Sequence, residues 1–411
     1  MNEEQRRVLE LVKQGTSIFM AGAAGTGKSF TLKEIVKWGR QQGISLGITS
    51  STGISALAIN GCTIHSFLKI GLAKRDPYQL YLHVRKRYPN VVTKLQHLKL
   101  LIIDEISMIS AELLDKIFVY LQHVRKSKLP FGGLQMIVCG DMFQLPPVSG
   151  EYCFTSEAWK ETKFVCVELV KQMRQESDHK FAEILGKLRF GICSHETFEY
   201  LKQCNNPNFG EVLPTMLYSR NVDVNMINNL EYKKLLKPGV QRKVFDTVYS
   251  SHEHSKPWAE SMNIPEKVDL CIGAQVMLTV NLAVDEGLAN GSRGVITGFA
   301  EEGPIVLFKN GDQVVIEYWP FTDENEDDKG MSVLAIPLKL AYALTIHKSQ
   351  SMTLDAAVID LGQNIFACGQ AYVALSRVRD SKSVKITDLS QASFIADPGV
   401  VKFYNDKFKP T

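Results

Sequence analysis

Gly22-Ala23-Ala24-Gly25-Thr26-Gly27-Lys28-Ser29 has the form GxxxxGK[ST], the spacing of a phosphate-binding loop. Its glycines let the backbone bend so that N–H groups point inward at phosphate oxygens, and the helix that follows adds the positive end of its dipole. Lys28 has the reach for β- and γ-phosphates, and the Ser29 hydroxyl suits Mg²⁺. About 75 residues on, the apolar run Leu100-Leu101-Ile102-Ile103 ends in Asp104 and Glu105. In a triphosphatase the first carboxylate belongs to the metal shell and the second polarises the attacking water. A second apolar run leads into Gly140-Asp141-Met142-Phe143-Gln144-Leu145-Pro146-Pro147, where Gln144 has the chemistry to sense a γ-phosphate or place the water. Arg174 and Arg377 are candidates for the positive charge that phosphoryl transfer requires. Taken singly, each also fits an ordinary surface ion pair.

These residues need a scaffold that brings them to one edge. Apolar segments 17–21, 44–50, 98–103 and 134–139 alternate with helical patterns such as 30–41. That alternation predicts an α/β fold with a parallel sheet and functional groups at the strands' C-terminal ends. Segments 215–219, 275–278, 356–361 and 384–388 predict a second sheet. Within it, 294–299, 304–309 and 312–318 read as short strands, with Asn310-Gly311 as a hairpin turn. We therefore expect a small β-barrel-like insert over about 290–340, its acidic run 322–329 a solvated loop. Residues 66–97 form another insert. There Lys69, Lys74, Arg75, Arg85, Lys86 and Arg87 alternate with Tyr78, Tyr81 and Tyr88. The pattern suits a strand-following, base-stacking surface and equally a solvated helix face with packing tyrosines.

Composition narrows the class. A chain of 411 residues, 45% hydrophobic and 22% charged, predicts a soluble globular protein of two or three domains. No apolar run reaches membrane-spanning length. The acidic start Met1-Asn2-Glu3-Glu4 leads into a helix, so we expect no secretory or transit leader and an intracellular location, nuclear or cytoplasmic. The net charge of +3 is too small to identify a nucleic-acid partner, so any such site must be a local patch. Eight scattered cysteines form no CxxC pair, which argues for reduced thiols and against a structural metal.

The motif blocks together carry a resemblance. Residues 22–29, 104–105, 140–147, 172–175, 344–355 and 372–379 occur in the order and spacing of superfamily-one DNA helicases. Segments Thr49-Ser50-Ser51-Thr52, Thr63-Ile64-His65-Ser66-Phe67, Pro130-Phe131-Gly132-Gly133 and Thr345-Ile346-His347-Lys348-Ser349-Gln350 resemble the PIF type (petite integration frequency), related to RecD and Dda. The likeness covers nearly the whole chain.

The resemblance implies two RecA-like P-loop domains, 1–165 and 166–411, with 66–97 as a possible strand-separating wedge and 290–340 as an SH3-like β-barrel. It implies ATP with Mg²⁺, hydrolysis coupled to movement on single-stranded DNA, 5′-to-3′ polarity and unwinding of forked or structured DNA in replication, repair or recombination. It gives Gln5, an exposed helix residue on bare sequence, the adenine-reading role. Gly22, Ala23, Ala24, Gly25, Thr26, Gly27, Lys28 and Ser29 would bind nucleotide, with Ser29 and Asp104 at the metal. Lys28, Asp104, Glu105, Gln144, Arg174 and Arg377 would act in catalysis. Thr52, His65, Phe67, Pro147, His347 and Lys348 would touch DNA. Gln350 and Ser376 share these blocks without an assigned role. We expect a monomer. An RNA helicase, or a nucleic-acid-stimulated NTPase that does not unwind, is the alternative; the absence of Asn-Lys-x-Asp disfavours a GTPase. Three positions depart from the family pattern: Ser351 stands for a glycine, Met142 for an aromatic, and Lys171-Gln172-Met173-Arg174 lacks an aromatic before the arginine.

Overall fold

The computed structural model describes the chain outside residues 60, 175–177, 205–213, 251–254, 257–258, 261–263, 281, 284–287, 289–291, 309–310, 323–331, 355 and 409–411. The acidic run beyond Thr322, the turn residue Asn310, Gln175 and Asp355 thus lie outside the described residues. By its contacts the chain divides into two compact units, Met1–Ser219 with Thr345–Thr411, and Arg220–Leu344.

The first unit is built on β1 (Ile18–Gly22), β2 (Leu46–Ser50), β3 (Cys62–Thr63), β4 (Leu100–Asp104), β5 (Gln135–Gly140) and β6 (Val165–Leu169). They form one parallel sheet in the order β3-β2-β4-β5-β1-β6. β1 and β4 are buried at every position, as expected where helices cover both faces of a parallel sheet. Side chains alternate between the faces. Phe19, Leu101, Ile103, Met136 and Val138 enter one core, and Ile18, Met20, Ile102, Ile137 and Cys139 enter the other. β6 pairs with β1 along its whole length. The expected domain boundary at 165/166 therefore falls inside a strand of the first sheet.

A second sheet in the same unit contains Thr215–Tyr218, Ala357–Leu361 and Val384–Leu389, paired in parallel. Gln275–Leu278 is not part of it, contrary to expectation. That strand pairs antiparallel with Arg293–Phe299 and Leu338–Leu340 in the other unit. A four-residue apolar run is compatible with either sheet type, and only its partners decide. The last helix, Pro398–Lys407, returns to the first sheet, where Val400 and Tyr404 join the core that contains Phe19.

The unit Arg220–Leu344 is wider than the expected 290–340 insert. Its five-stranded antiparallel sheet runs Gln313–Val315, Pro304–Phe308, Arg293–Phe299, Gln275–Leu278, Leu338–Leu340. The strands flanking the expected hairpin pair as anticipated, and Gly311 takes φ +94°, a conformation natural to glycine. Two smaller antiparallel sheets complete the unit. Among the described residues the five-stranded ladder is linear, its outer strands unpaired with each other.

Residues 66–97 hold the helices Pro77–Arg87 and Pro89–His97. Asp76 caps the first through the amides of Tyr78 and Gln79. The three tyrosines divide: Tyr81 is buried and Tyr88 packs against the first core, while Tyr78 is exposed. Arg85 and Lys86 are exposed on the same helix.

Candidate functional site

At the C-terminal edge of the first sheet lies a cavity of about 280 Å³. It is lined by Ala24, Gly25, Gly27, Lys28, Ser29, Asp104, Glu105, Gln144, Met173, Arg174, Ser351 and Arg377. All six expected catalytic residues therefore share one space. β1 delivers the glycine-rich loop, and Gly27 caps the helix Lys28–Gln41 with φ +85°, a left-handed geometry that costs most residues energy. Lys28 Nζ donates to the carbonyls of Gly22 at 2.8 Å and Ala23 at 3.0 Å. Thr26 Oγ1 donates to Ala23 O at 2.9 Å, which stiffens the loop. The Gln144 side chain is buried, and its Oε1 has no hydrogen-bond partner among the described residues. An acceptor left bare in a polar cleft suits a water or a hydroxyl group of substrate.

Gln5 corrects the sequence reading: it is buried, only 3% exposed. Asn2 and Gln5 form a reciprocal capping box, with Gln5 N donating to Asn2 Oδ1 and Asn2 N to Gln5 Oε1. Its Nε2 lies beside Gly27, where an added Cβ would approach it to 2.8 Å. The side chain thus borders the loop.

β4 delivers the two carboxylates. Ser50 Oγ donates to Asp104 O and Ser51 Oγ to Glu105 O, both at 3.0 Å, tying the end of β2 to them. Burial first, then the neighbouring Glu105 charge, push the Asp104 carboxyl up to about 7. A nearby cation opposes that shift, and Lys28 already does so in part. Among the described residues no three His, Cys, Asp or Glu side chains converge as a metal cage. Mg²⁺ bound with a nucleotide needs no such cage, since phosphates and waters supply most ligands. The hydroxyl of Ser29 with the carboxylate of Asp104 is a fitting donor set.

The arginines enter from the other side. The backbone amides of Met173 and Arg174 donate to Gly25 O, at 2.8 and 3.2 Å, and Arg174 Nη1 donates to Ser376 O at 2.8 Å. Arg377 is 1% exposed and donates to the carbonyls of Val373, Ser349 and Met352 and to the Ser376 hydroxyl. All are neutral. Burial, then the like charge of Arg174, push the Arg377 guanidinium down to about 9. A buried cation bonded to neutral oxygens stands to gain most from an arriving anion. Glu105 in turn receives two donors from the segment after the helix Ile346–Ser349. Gln350 Nε2 donates to Oε2 at 3.0 Å, and the Ser351 hydroxyl donates to Oε1.

Sequence reasoning missed a buried hub behind the cavity. Asp141 is fully buried and receives Arg189 through Nε at 3.1 and 3.2 Å and Nη2 at 3.0 Å. Arg189 Nη1 also donates to Glu168 Oε1 at 3.0 Å. Burial works against the Arg189 charge, but Asp141 outweighs it and holds the guanidinium above its ordinary value. The rings of Phe143 and Tyr404 flank the guanidinium at 4.8 and 4.9 Å. Tyr372 OH donates to Asp141 Oδ2 at 3.1 Å and accepts from the amide of Ala24 at 2.9 Å. Tyr404 OH accepts from Met142 N at 3.2 Å. The hub thus joins the phosphate loop, the Gln144 loop, the helix Gln370–Leu375 that precedes Arg377, and the last helix. Met142, which departs from the family aromatic, is buried in the first core beside Phe143.

The expected DNA contacts fall into two groups. Thr52, His65 and His347 are half-buried, and Lys348 is exposed. Pro147 is buried, and Phe67 packs against the first core with Lys94 5.3 Å from its ring centre. The two Thr-Ile-His segments build the same device. Thr63 caps the helix Ile64–Leu68 and Thr345 caps Ile346–Ser349, each accepting from a backbone amide three residues on at 3.3 Å. Burial lowers the pKa of both histidines, which favours neutral rings at physiological pH.

Residues 1–198 match the PIF1-like helicase family, and residues 260–299 match the DNA helicase Pif1 2B domain. The chain is similar to the ATP-dependent DNA helicase PIF1 of Homo sapiens, 38% identical over 414 residues, covering 98% of this chain but 63% of that protein. It therefore spans less than two thirds of the human relative's length. It is 33% identical to the ATP-dependent DNA helicase Pif1 of Bdellovibrio bacteriovorus, with 98% of this chain and 91% of that one covered. The crystal structure of Pif1 helicase from Candida albicans superposes with a TM-score of 0.92 at 32% identity, covering 99% of both chains. Pif1 helicase from Bacteroides in complex with ADP-AlF3 and ssDNA gives 0.82 at 28% identity, covering 99% of this chain and 98% of that one.

Proposed function

Since this chain belongs to the PIF1-like helicase family, we propose that it is an ATP-driven motor on single-stranded DNA, moving 5′ to 3′ and unwinding forked or structured duplex as a monomer. The carrying observation is the single cavity that gathers Lys28, Ser29, Asp104, Glu105, Gln144, Arg174 and Arg377. The loop amides and Lys28 bind the β- and γ-phosphates of ATP. Ser29 and Asp104 would hold Mg²⁺, which would supply charge neutralisation to the phosphates. Glu105 accepts a proton from the attacking water, Gln144 orients that water, and Arg174 and Arg377 stabilise the negative charge that builds on the transferred group. Gln5 borders the place where the base would sit. Relatives described as bound to ssDNA, and as unwinding forked dsDNA, support DNA as the track. Thr52, His65, His347 and Lys348 are the proposed strand contacts, with Phe67 and Pro147 shaping their segments from beneath. The two sheets are proposed as RecA-like lobes. The unit Arg220–Leu344 is proposed to contain the SH3-like barrel, and the exposed face of Pro77–Arg87 the wedge.

Forked DNA with a 5′ tail, offered with ATP, should be unwound by the chain, while the same fork with a 3′ tail should not. Failure on the 5′-tailed fork with intact DNA-stimulated ATPase would leave a translocase without unwinding. Activity on an RNA fork alone would favour the RNA-helicase reading. Arg377→Lys should lower ATP turnover by about 10³-fold, since an ammonium cannot reproduce the guanidinium's planar fork. Binding of a fluorescent ADP analogue should weaken by less than about tenfold, because the phosphate loop is untouched. Equal losses in both measurements would place Arg377 in nucleotide binding instead.

A further inference from the structure

Ser351 is the one departure from the family pattern that reaches a reacting group. Its φ of +67° lies in the left-handed region, where a serine is strained and a glycine is not. Such strain persists when surrounding bonds over-determine the conformation. Here the over-determining bond is visible: the Ser351 hydroxyl donates to Glu105 Oε1, while Gln350 Nε2 donates to Oε2 at 3.0 Å. Each carboxylate oxygen of Glu105 therefore carries a protein donor. The residues on either side of this pair hold Arg377, through the carbonyls of Ser349 at 3.5 Å and Met352 at 3.4 Å. Segment 349–352 thus grips both the carboxylate from the first sheet and the guanidinium from the second. It continues directly from the helix Ile346–Ser349, which carries His347 and Lys348.

A carboxylate that is to accept a proton from water must turn a lone pair toward that water. A hydroxyl on one oxygen and an amide on the other leave a lone pair free on each, but together they fix the orientation of the carboxylate, so Glu105 can turn a free lone pair toward the water only by rotating against both bonds. Gln350 would leave one oxygen free if Ser351 were absent. The hydroxyl is the additional restraint, and it follows directly on the helix that carries the proposed strand contacts His347 and Lys348.

Building on the motor reading above, we propose that Ser351 is a positioning residue whose hydroxyl holds Glu105 back from the attacking water until DNA moves the segment 346–352. ATP hydrolysis in this chain then waits for the strand more strictly than the carboxylate and Gln350 alone would enforce.

The test is ATP turnover of the full chain, with and without saturating oligothymidylate, in Ser351→Gly and Ser351→Ala. Losing one hydrogen bond to a charged group is expected to raise DNA-free turnover about ten- to a hundredfold in both variants. The ratio of DNA-saturated to DNA-free turnover should fall by about the same factor. A role in fold stability alone would not move that ratio. Glycine relieves the backbone strain and alanine keeps it, so agreement between the variants assigns the effect to the hydroxyl. Ser351→Gly also guards against misfolding, since its melting temperature should equal or exceed that of the wild type. An unchanged or lower DNA-free rate in Ser351→Gly overturns the proposal while leaving the motor reading intact. Wild-type turnover indifferent to oligothymidylate overturns the motor reading, and this inference with it.

Discussion

Lys28→Ala is expected to reduce ATP turnover by about 10³-fold or more while single-stranded DNA affinity changes less than about threefold. Lys28 lies in the cavity wall beside Ser29 and Asp104, and its ammonium already rests against the loop carbonyls of Gly22 and Ala23. Removing it takes away the side-chain cation best placed for the β- and γ-phosphates. In a water-poor cleft one such electrostatic contact contributes on the order of 10²–10³ in rate. Asp104 should suffer as well. Lys28 is one of the groups opposing the rise of its carboxyl toward about 7, so the variant would hold Asp104 protonated to a higher pH and weaken its use as a metal ligand. The proposed strand contacts lie on other segments, around 52–65 and 345–348, and do not touch the loop lysine. Steady-state ATPase and fluorescence anisotropy with oligothymidylate separate the two effects. An equal collapse of DNA binding would show that the division of labour between loop and strand contacts is misplaced.

Asp141→Ala is expected to be the most destabilising of the single substitutions near the site. It removes the acceptor of three Arg189 hydrogen bonds and of the Tyr372 hydroxyl. A buried guanidinium stripped of its carboxylate costs about 3–5 kcal/mol. In a unit of this size that corresponds to a fall of roughly 5–10 °C in melting temperature. Glu168 retains one bond to Arg189, but it is 22% exposed and touches only Nη1. The double variant Asp141→Leu with Arg189→Met should recover part of the loss, because matched apolar groups leave no charge unpaired. If the double variant melts below Asp141→Ala, the pair contributes more than charge compensation. Because Tyr372 also receives the Ala24 amide, Asp141→Ala should raise the KM for ATP as well, through a looser phosphate loop.

Much of the candidate site was legible from local sequence. The phosphate loop, the Asp104-Glu105 strand end and the Gln144 loop are continuous stretches whose chemistry depends on neighbours within a few residues. β1, β4 and β5 read correctly because both faces of a covered parallel sheet demand apolar side chains at every position. The capping box was also readable, since Asn2 and Gln5 stand three residues apart at a helix start, but the burial of Gln5 came only from its packing. Other features left no local trace. Arg189 stands 48 residues from Asp141, on a helix whose pattern looks amphipathic and ordinary. Gln275–Leu278 has the composition of either sheet, and its antiparallel partners settled it. Tyr78, Tyr81 and Tyr88 are alike in sequence, and only packing separated the exposed one from the two that build the core.

The amino-acid sequence by itself determined that this chain carries a phosphate-binding loop with carboxylates, a glutamine and arginines in helicase-like order, because such chemistry needs particular side chains at short, recognisable spacings. Tertiary structure decided which of them meet. Ser351 reaches Glu105 across 246 residues and Tyr372 reaches Ala24 across 348, distances in sequence at which no periodicity survives. Folding alone converts such separations into hydrogen-bond lengths. The restraint on Glu105 and the hub around Asp141 therefore belong to the packing of the two sheets and the final helix, not to any motif.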